Sequence, residues 1–345
     1  MPDVWVDILR LLDGTLRLAT PLTLCAMAGV LSERSGIIDI GLEGKLLAGA
    51  FAAAAAASLS GSPWIGLAAA IAVAVLFAAV HGFACITQHG EQIISGLAVN
   101  ILASGLTVVV GIALFQQGGQ TPDLGPAGRF GPIRLPGVDA VADVPLAGPL
   151  YAELISGHNM LVYVGLGAVL AVWWLLYRTA FGLRLRAVGE APEAVETAGI
   201  SVSWLRYRAV LLAGVLCGIA GAYLSIAHGA GFVREMSAGK GYIALAAMIF
   251  GKWRPGPALL ACLLFGFLDT FTPRLEGVAV SCGDGNAMEL LINALGGACD
   301  QGRLRLPAAL VPMLPYVLTV VLLAGFFGRA VPPSALGKPY LKQHG

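Results

Sequence analysis

Apolar runs long enough to cross a bilayer recur along the whole chain, separated by short polar interruptions. A spanning helix needs about 20 mostly apolar residues. The first such run covers 15–31 and is broken by Ser32-Glu33-Arg34-Ser35-Gly36. The second, 37–58, is interrupted in its first third by Asp39, Glu43 and Lys45. Further runs cover 64–87, 93–115, 159–177, 207–227, 241–250, 257–271 and 308–327. The 241–250 run is too short to span alone, so it borrows 236–240 or is partly re-entrant. A weakly apolar segment, 286–299, is also too short and reads as helical. A Gly- and Pro-rich loop, 116–157, separates the fourth and fifth runs. The pattern predicts an all-α polytopic membrane protein, a single transmembrane domain over 1–345. It has about nine transmembrane helices, with broken or re-entrant segments.

The longest polar run between two strongly apolar segments is 181–200, FGLRLRAVGEAPEAVETAGI. Arg178, Arg184 and Arg186 crowd its start, and Arg206 and Arg208 follow its end. Glu190, Glu193 and Glu196 recur at every third position. Pro192 suits the first turn of a short helix. Ala194, Val195 and Ala198 give that helix a small apolar side, and Gly199 is placed to stop it. This pattern describes a short amphipathic helix presented on one face of a membrane protein. An ordinary charged loop is the alternative.

Composition agrees with a membrane protein. The 345 residues are 57% hydrophobic and only 12% charged, where soluble domains carry about twice that charge. The formal net charge is +1, so nothing points to nucleic acid. The first residues carry Asp3, Asp7 and Arg10 and lack the basic-then-apolar pattern of a cleavable signal peptide. Nine spans with an outside N-terminus place eleven basic residues in the cytoplasm, among them Arg34, the 178–208 arginines, Lys252, Arg254 and Lys338, and eight outside. The same parity puts loop 116–157 outside and loop 179–206 inside. Residues 4–12 are too short and too charged for a tenth span.

Polar groups within the runs are few and costly, and they usually face a cavity or a partner. They are Asp39, Glu43 and Lys45; Glu91, Gln92, Ser95 and Asn100; Asp269, Thr270 and Thr272; and Asn293. Glu43 and Lys45 are placed to neutralise each other; alternatively, Asp39 and Glu43 act together with partners elsewhere. These groups either line a path or satisfy one another and a broken backbone. Two Ser/Gly breaks, SERSGII at 32–38 and SAGKGYI at 237–243, open glycine-broken apolar segments in opposite senses. Such pairs are the pattern of inverted repeats with a substrate site between them.

Four stretches, in order, carry a family resemblance: SERSGIIDIGLEGKLLAGAFAA, EQIISGLAVNILASGLT, FGLRLRAVGEAPEAVETAGI and MSAGKGYIALAAMIFGKWRPGPALLACLLFG. Together they resemble the permease subunits of bacterial ABC importers for nucleosides and simple sugars, with the first and last closest to the nucleoside branch. The resemblance covers roughly 17–266. It implies an inner-membrane permease that pairs with a second permease, a different chain or an identical one. The pair would sit on cytoplasmic ABC ATPases and be fed by an extracytoplasmic substrate-binding protein. It also implies that Gly189, Glu190, Ala191, Pro192 and Glu193 form the cytoplasmic coupling helix that docks on the ATPase. Larger family members carry one more N-terminal span, which fits the count of nine here.

The chain has no GxxxxGK[ST] loop, so ATP hydrolysis falls to a partner. No nucleophile–base arrangement or metal-ligand cluster suggests an enzyme, and no cofactor is expected. The expected substrate is a nucleoside, with a simple sugar as alternative. The candidate path residues are Asp39, Gln92, Ser95, Asn100 and Asp269. The rival reading is an ion-coupled secondary transporter that uses Asp39, Glu43 and Asp269. Cys282 and Cys299 fall in a connection placed outside, where disulfides are permitted. A helix over 286–299 would hold them about 20 Å apart at 1.5 Å per residue, so two free thiols are the competing expectation.

Overall fold

The computed structural model describes residues 2–138, 144, 147–276, 279–281, 298–300, 303–305, 313, 317 and 330–340. Its first helix, α1 (Pro2–Arg34), is 33 residues long and begins well before the expected start at 15. The charges there neutralise one another along the helix: Arg17 bonds Asp13 at 2.9 Å and Arg10 approaches Asp7 at 3.9 Å. Such i,i+3 and i,i+4 pairs let a charged extension stay helical. Residues 4–12 are therefore a continuation of the first helix.

The following helices are α2 (Leu42–Ser60), α3 (Pro63–Gly82, continued by a π turn, Phe83–Thr87) and α4 (Gln92–Phe115). Next come α5 (Met160–Arg178), α6 (Ala180–Glu190), α7 (Pro192–Thr197) and α8 (Val202–Ala222, continued by a π turn, Tyr223–His228). The last are α9 (Lys240–Phe250) and α10 (Pro255–Glu276). Among the described residues, seven helices are long and apolar enough to cross a membrane, and α9 is a shorter apolar helix. The protein is an all-α polytopic membrane protein. The expected last span, 308–327, falls outside the described residues apart from 313 and 317.

Three strands of three residues each follow α10: β1 (Ala279–Ser281), β2 (Ala298–Asp300) and β3 (Arg303–Arg305). They pair antiparallel in the order β1-β3-β2. Cys299 therefore lies in a strand and not at the end of the expected helix. Cys282, Asn293 and the rest of 286–297 lie outside the described residues.

The core is organised around α1. Leu22, Leu24, Cys25, Ala26, Met27, Ala28 and Val30 are all fully buried, on every side of the helix, as befits a central element. Helices α2, α3 and α8 pack through small residues. A Cβ on Gly218 of α8 would stand 2.6 Å from the Ile71 Cα of α3. Only glycine permits that backbone approach, and close approach is how membrane helices gain packing energy without a hydrophobic drive. By contrast α4 is mostly exposed along its apolar side, including Ile94, Ile101 and Val109.

Candidate functional site

The chain between α1 and α2 is not helical, and side chains complete its backbone. Buried polar backbone must find partners, and in a membrane water does not supply them. Arg206 Nε donates to Ser35 O at 3.2 Å, and Gly337 N donates to Gly36 O at 3.1 Å. Ser32 Oγ donates to Ile37 O at 2.9 Å. Ile38 N donates to Gln92 Oε1 at 2.7 Å. His81 Nε2 lies 3.0 Å from Ile38 O, while its Nδ1 lies 3.0 Å from Ser95 Oγ. A carbonyl only accepts, so Nε2 carries the proton and, in a neutral ring, Nδ1 accepts from Ser95. Asn100 Nδ2 donates to Ile40 O at 3.0 Å, and its Oδ1 accepts from Gly44 N at 2.7 Å.

Asp39 has no exposed surface. Both its oxygens accept from Lys45 Nζ, at 2.6 and 2.5 Å. The expected neutralisation of Lys45 by Glu43 is corrected here: residues two apart on a helix point to different faces. Asp39 precedes the helix and folds back onto Lys45, while Glu43 turns the other way. Its carboxylate accepts from Gly239 N at 2.9 Å and Gly241 N at 2.6 Å. Thus the head of α2, just beyond the first Ser/Gly break, touches the second break: Glu43 caps the head of α9.

Four of the five candidate path residues, Asp39, Gln92, Ser95 and Asn100, therefore gather around the first break. Asp269 stands apart, half-buried on α10 within electrostatic reach of Lys240. His81 is fully buried and central to this network, yet the sequence reading passed over it. Its signal was there: a lone imidazole deep in the apolar run 64–87.

A second cluster lies where α1 ends. Trp253 Nε1 donates to Glu33 Oε2 at 2.6 Å, and Arg34 Nε donates to Trp253 O at 3.0 Å. The segment 330–340 is laid across the same end. Ala335 N donates to Gly189 O at 2.8 Å, and Ser334 donates to Glu190 Oε2 through N at 3.2 Å and Oγ at 2.8 Å. Arg206, almost wholly buried, reaches Lys338 O at 3.4 Å and lies over the Tyr340 ring. The ends of α1 and α9, the joint of α6 with α7, the start of α8 and the segment 330–340 thus share one end of the molecule.

The polar run 181–200 folds as two helices. Ala191, non-helical at φ −145° and ψ 77°, separates them, since the residue before proline is biased away from the helical region. Gly189 and Glu190 close α6, Pro192 opens α7, and Gly199 (φ +77°) ends the turn after it. Val195 packs with Val188, Val202 and Leu205. Glu193 is exposed, and Ala191, Ala194 and Ala198 stay exposed along a shallow, mostly apolar groove that Leu183 and Ala187 of α6 complete.

Residues 11–295 match the family model described as the permease component of the branched-chain amino acid transport system. The chain belongs to this permease family. It is similar to the guanosine ABC transporter permease protein NupQ of Bacillus subtilis, with 34% identity over 98% of this chain and 99% of the relative. The nucleoside ABC transporter permease protein NupC of Lactococcus lactis is 35% identical over 94% of each chain. The putative glucose ABC transporter permease protein TsgC13 of Haloferax volcanii is 32% identical over 96% of this chain and 98% of the relative. No solved structure matches the chain. The protein is thus a multi-pass inner-membrane permease component of an ABC transporter, which sets aside the ion-coupled reading.

Proposed function

We propose that this permease imports nucleosides. It would do so as one of two permease subunits bound to cytoplasmic ABC ATPases and supplied by an extracytoplasmic substrate-binding protein. The observation that carries the substrate class is likeness over nearly the full length of both chains to permease proteins named for guanosine and nucleosides. An uncharged nucleoside also suits a membrane interior whose buried acids, Asp39 and Glu43, already have partners on the chain. Sugar uptake is the second reading, favoured by the glucose-permease relative.

In this reading the end holding Arg34, Arg206 and Trp253 is cytoplasmic, loop 116–157 is extracytoplasmic, and 179–206 is the coupling loop. Residues Gly189 to Glu193 form its contact with the ATPase, which seats in the groove between α6 and α7. Asp39, Gln92, Ser95 and Asn100 shape the broken wall of the translocation path, and Asp269 borders it from α10. A push on α6 and α7 would reach the break through Gly189, Ala335 and Gly337, a contiguous set of backbone bonds that fits rigid-body transmission.

Uptake of labelled nucleosides and of glucose in a strain deleted for the gene, with and without complementation, tests the proposal. Restored nucleoside uptake is the expected result. Restored glucose uptake alone would select the sugar reading, and restoration of neither would reject both.

A further inference from the structure

The polar side of α4 continues beyond the broken segment. Ser104 stands near the middle of this 24-residue helix, which is about 36 Å long at 1.5 Å per residue and so spans the hydrocarbon core of about 30 Å. Its hydroxyl donates to Glu235, in the connection between α8 and α9. One turn toward the Arg34 end, Asn100 donates to the Tyr242 hydroxyl at 2.8 Å. The short α9 measures the same depth independently. It has 11 residues, about 16 Å, and ends beside Trp253 at the Arg34 end. Its first turn, with Tyr242, therefore lies about halfway through the membrane.

Glu235 and Tyr242 are both exposed at that depth, Tyr242 by 43%. A carboxylate at mid-membrane does not face lipid; it faces water, a partner or a solute. Glu235 uses one oxygen on Ser104, and its second has no partner among the described residues. The Tyr242 hydroxyl accepts from Asn100, which leaves its own proton free to donate. Asn100 is itself locked by Ile40 and Gly44 at the first break. The second break carries Glu235 and Tyr242 on either side of Ser237. The second break and α4, which is tied through Asn100 to the chain just after the first break, thus form one polar patch, the placement that broken-helix transporters use for their cargo.

We propose that Glu235, Ser104, Asn100 and Tyr242 form a mid-membrane contact site for the vicinal hydroxyls of a neutral sugar ring. Glu235 accepts from the hydroxyls, Tyr242 donates to a ring or hydroxyl oxygen, and the exposed tyrosine face packs on the apolar side of the solute. Ser104 and Asn100 are positioning residues for these two groups. The fixed negative charge admits nucleosides and repels phosphorylated ones, a selection made by repulsion as much as by attraction. This rests on the reading of the protein as a permease for neutral hydroxylated solutes.

The test uses the full transporter in sealed membranes, with Cys282 and Cys299 replaced by serine and Ala238→Cys, exposed beside Glu235, probed by a membrane-impermeant thiol reagent. Leu170→Cys, on the exposed apolar side of α5, is the reference. Faster labelling of Ala238→Cys, slowed by millimolar guanosine or glucose, is expected; the solute that protects identifies ribose or hexose as the source of the diol. Labelling no faster than the reference, or unaffected by either solute, overturns the site. In parallel, Glu235→Gln should lower maximal transport at least tenfold while ATPase stimulation by the binding protein persists, and Glu235→Asp should recover part of it. Wild-type transport in Glu235→Gln overturns the proposal. Wild-type protein that carries glucose but no nucleoside would refute the nucleoside reading alone and leave the site standing.

Discussion

At the scale of single residues, the buried pair of Asp39 and Lys45 holds the first break closed. Both side chains are fully buried. Removing one partner leaves an uncompensated charge, which costs about 3–5 kcal/mol, whereas replacing both can be nearly neutral. Asp39→Asn and Lys45→Met should each lower the thermal midpoint of the detergent-solubilised protein sharply. The double variant Asp39→Asn, Lys45→Met should recover most of that loss. Additive losses in this cycle would refute the pairing. The cycle also separates two roles for Asp39: if it contacts substrate, the stable double variant still fails to transport. That Asp39 and not Glu43 pairs with Lys45 was beyond the sequence, because the choice depends on how 35–41 folds back, and that is set by Gln92, His81 and Asn100 from other helices.

At the scale of elements, α7 has one anchored side and one presented side. Val195 is buried against Val188, Val202 and Leu205, while Ala194 is exposed on the groove. Ala194→Arg should therefore leave stability and membrane insertion unchanged and uncouple ATP hydrolysis from uptake, read by ATPase and transport assays on the same membranes. Val195→Asp buries an unpaired carboxylate and should lower the amount of folded protein. If Ala194→Arg transports normally, the groove is not the ATPase contact. The contact of α8 with α3 gives a purely structural prediction. Gly218→Val places a side chain where 2.6 Å separates it from backbone, and overpacking of this kind costs about 1–3 kcal/mol or more. A lower melting temperature in fluorescence-detected size-exclusion chromatography checks it. The short helix was legible in 181–200, from Pro192, the small residues and Gly199. Its division from α6 was signalled too, by the restriction proline puts on Ala191. That 330–340 lies across α6 was not legible, since nothing local ties the two segments together.

At the scale of the whole molecule, the described helices alternate between two ends. The segment 330–340 shares the Arg34 end, while α10 runs away from that end past Gly14 of α1. With the Arg34 end inside, a cysteine in place of Asp123, exposed in the long loop, should react with an impermeant thiol reagent in intact cells. One in place of Glu193 should react only in inverted membranes. The cysteines at 25, 85, 217 and 262 are buried, and Cys282 and Cys299, expected outside, are replaced by serine so that they add no background. Equal accessibility of the two sites would refute the topology.

Sequence alone determined the fold class and most span positions, because a bilayer demands long apolar runs whatever their neighbours are. It also marked both glycine-broken segments, since Ser, Gly and charge within apolar surroundings are local signals. The tertiary structure alone decided what those breaks do. Glu43 capping α9, His81 holding Ile38, and Ser104 meeting Glu235 are contacts between residues 196, 43 and 131 positions apart. A buried polar group takes whichever partner packing brings within about 3 Å, and periodicity along one helix carries no record of that partner.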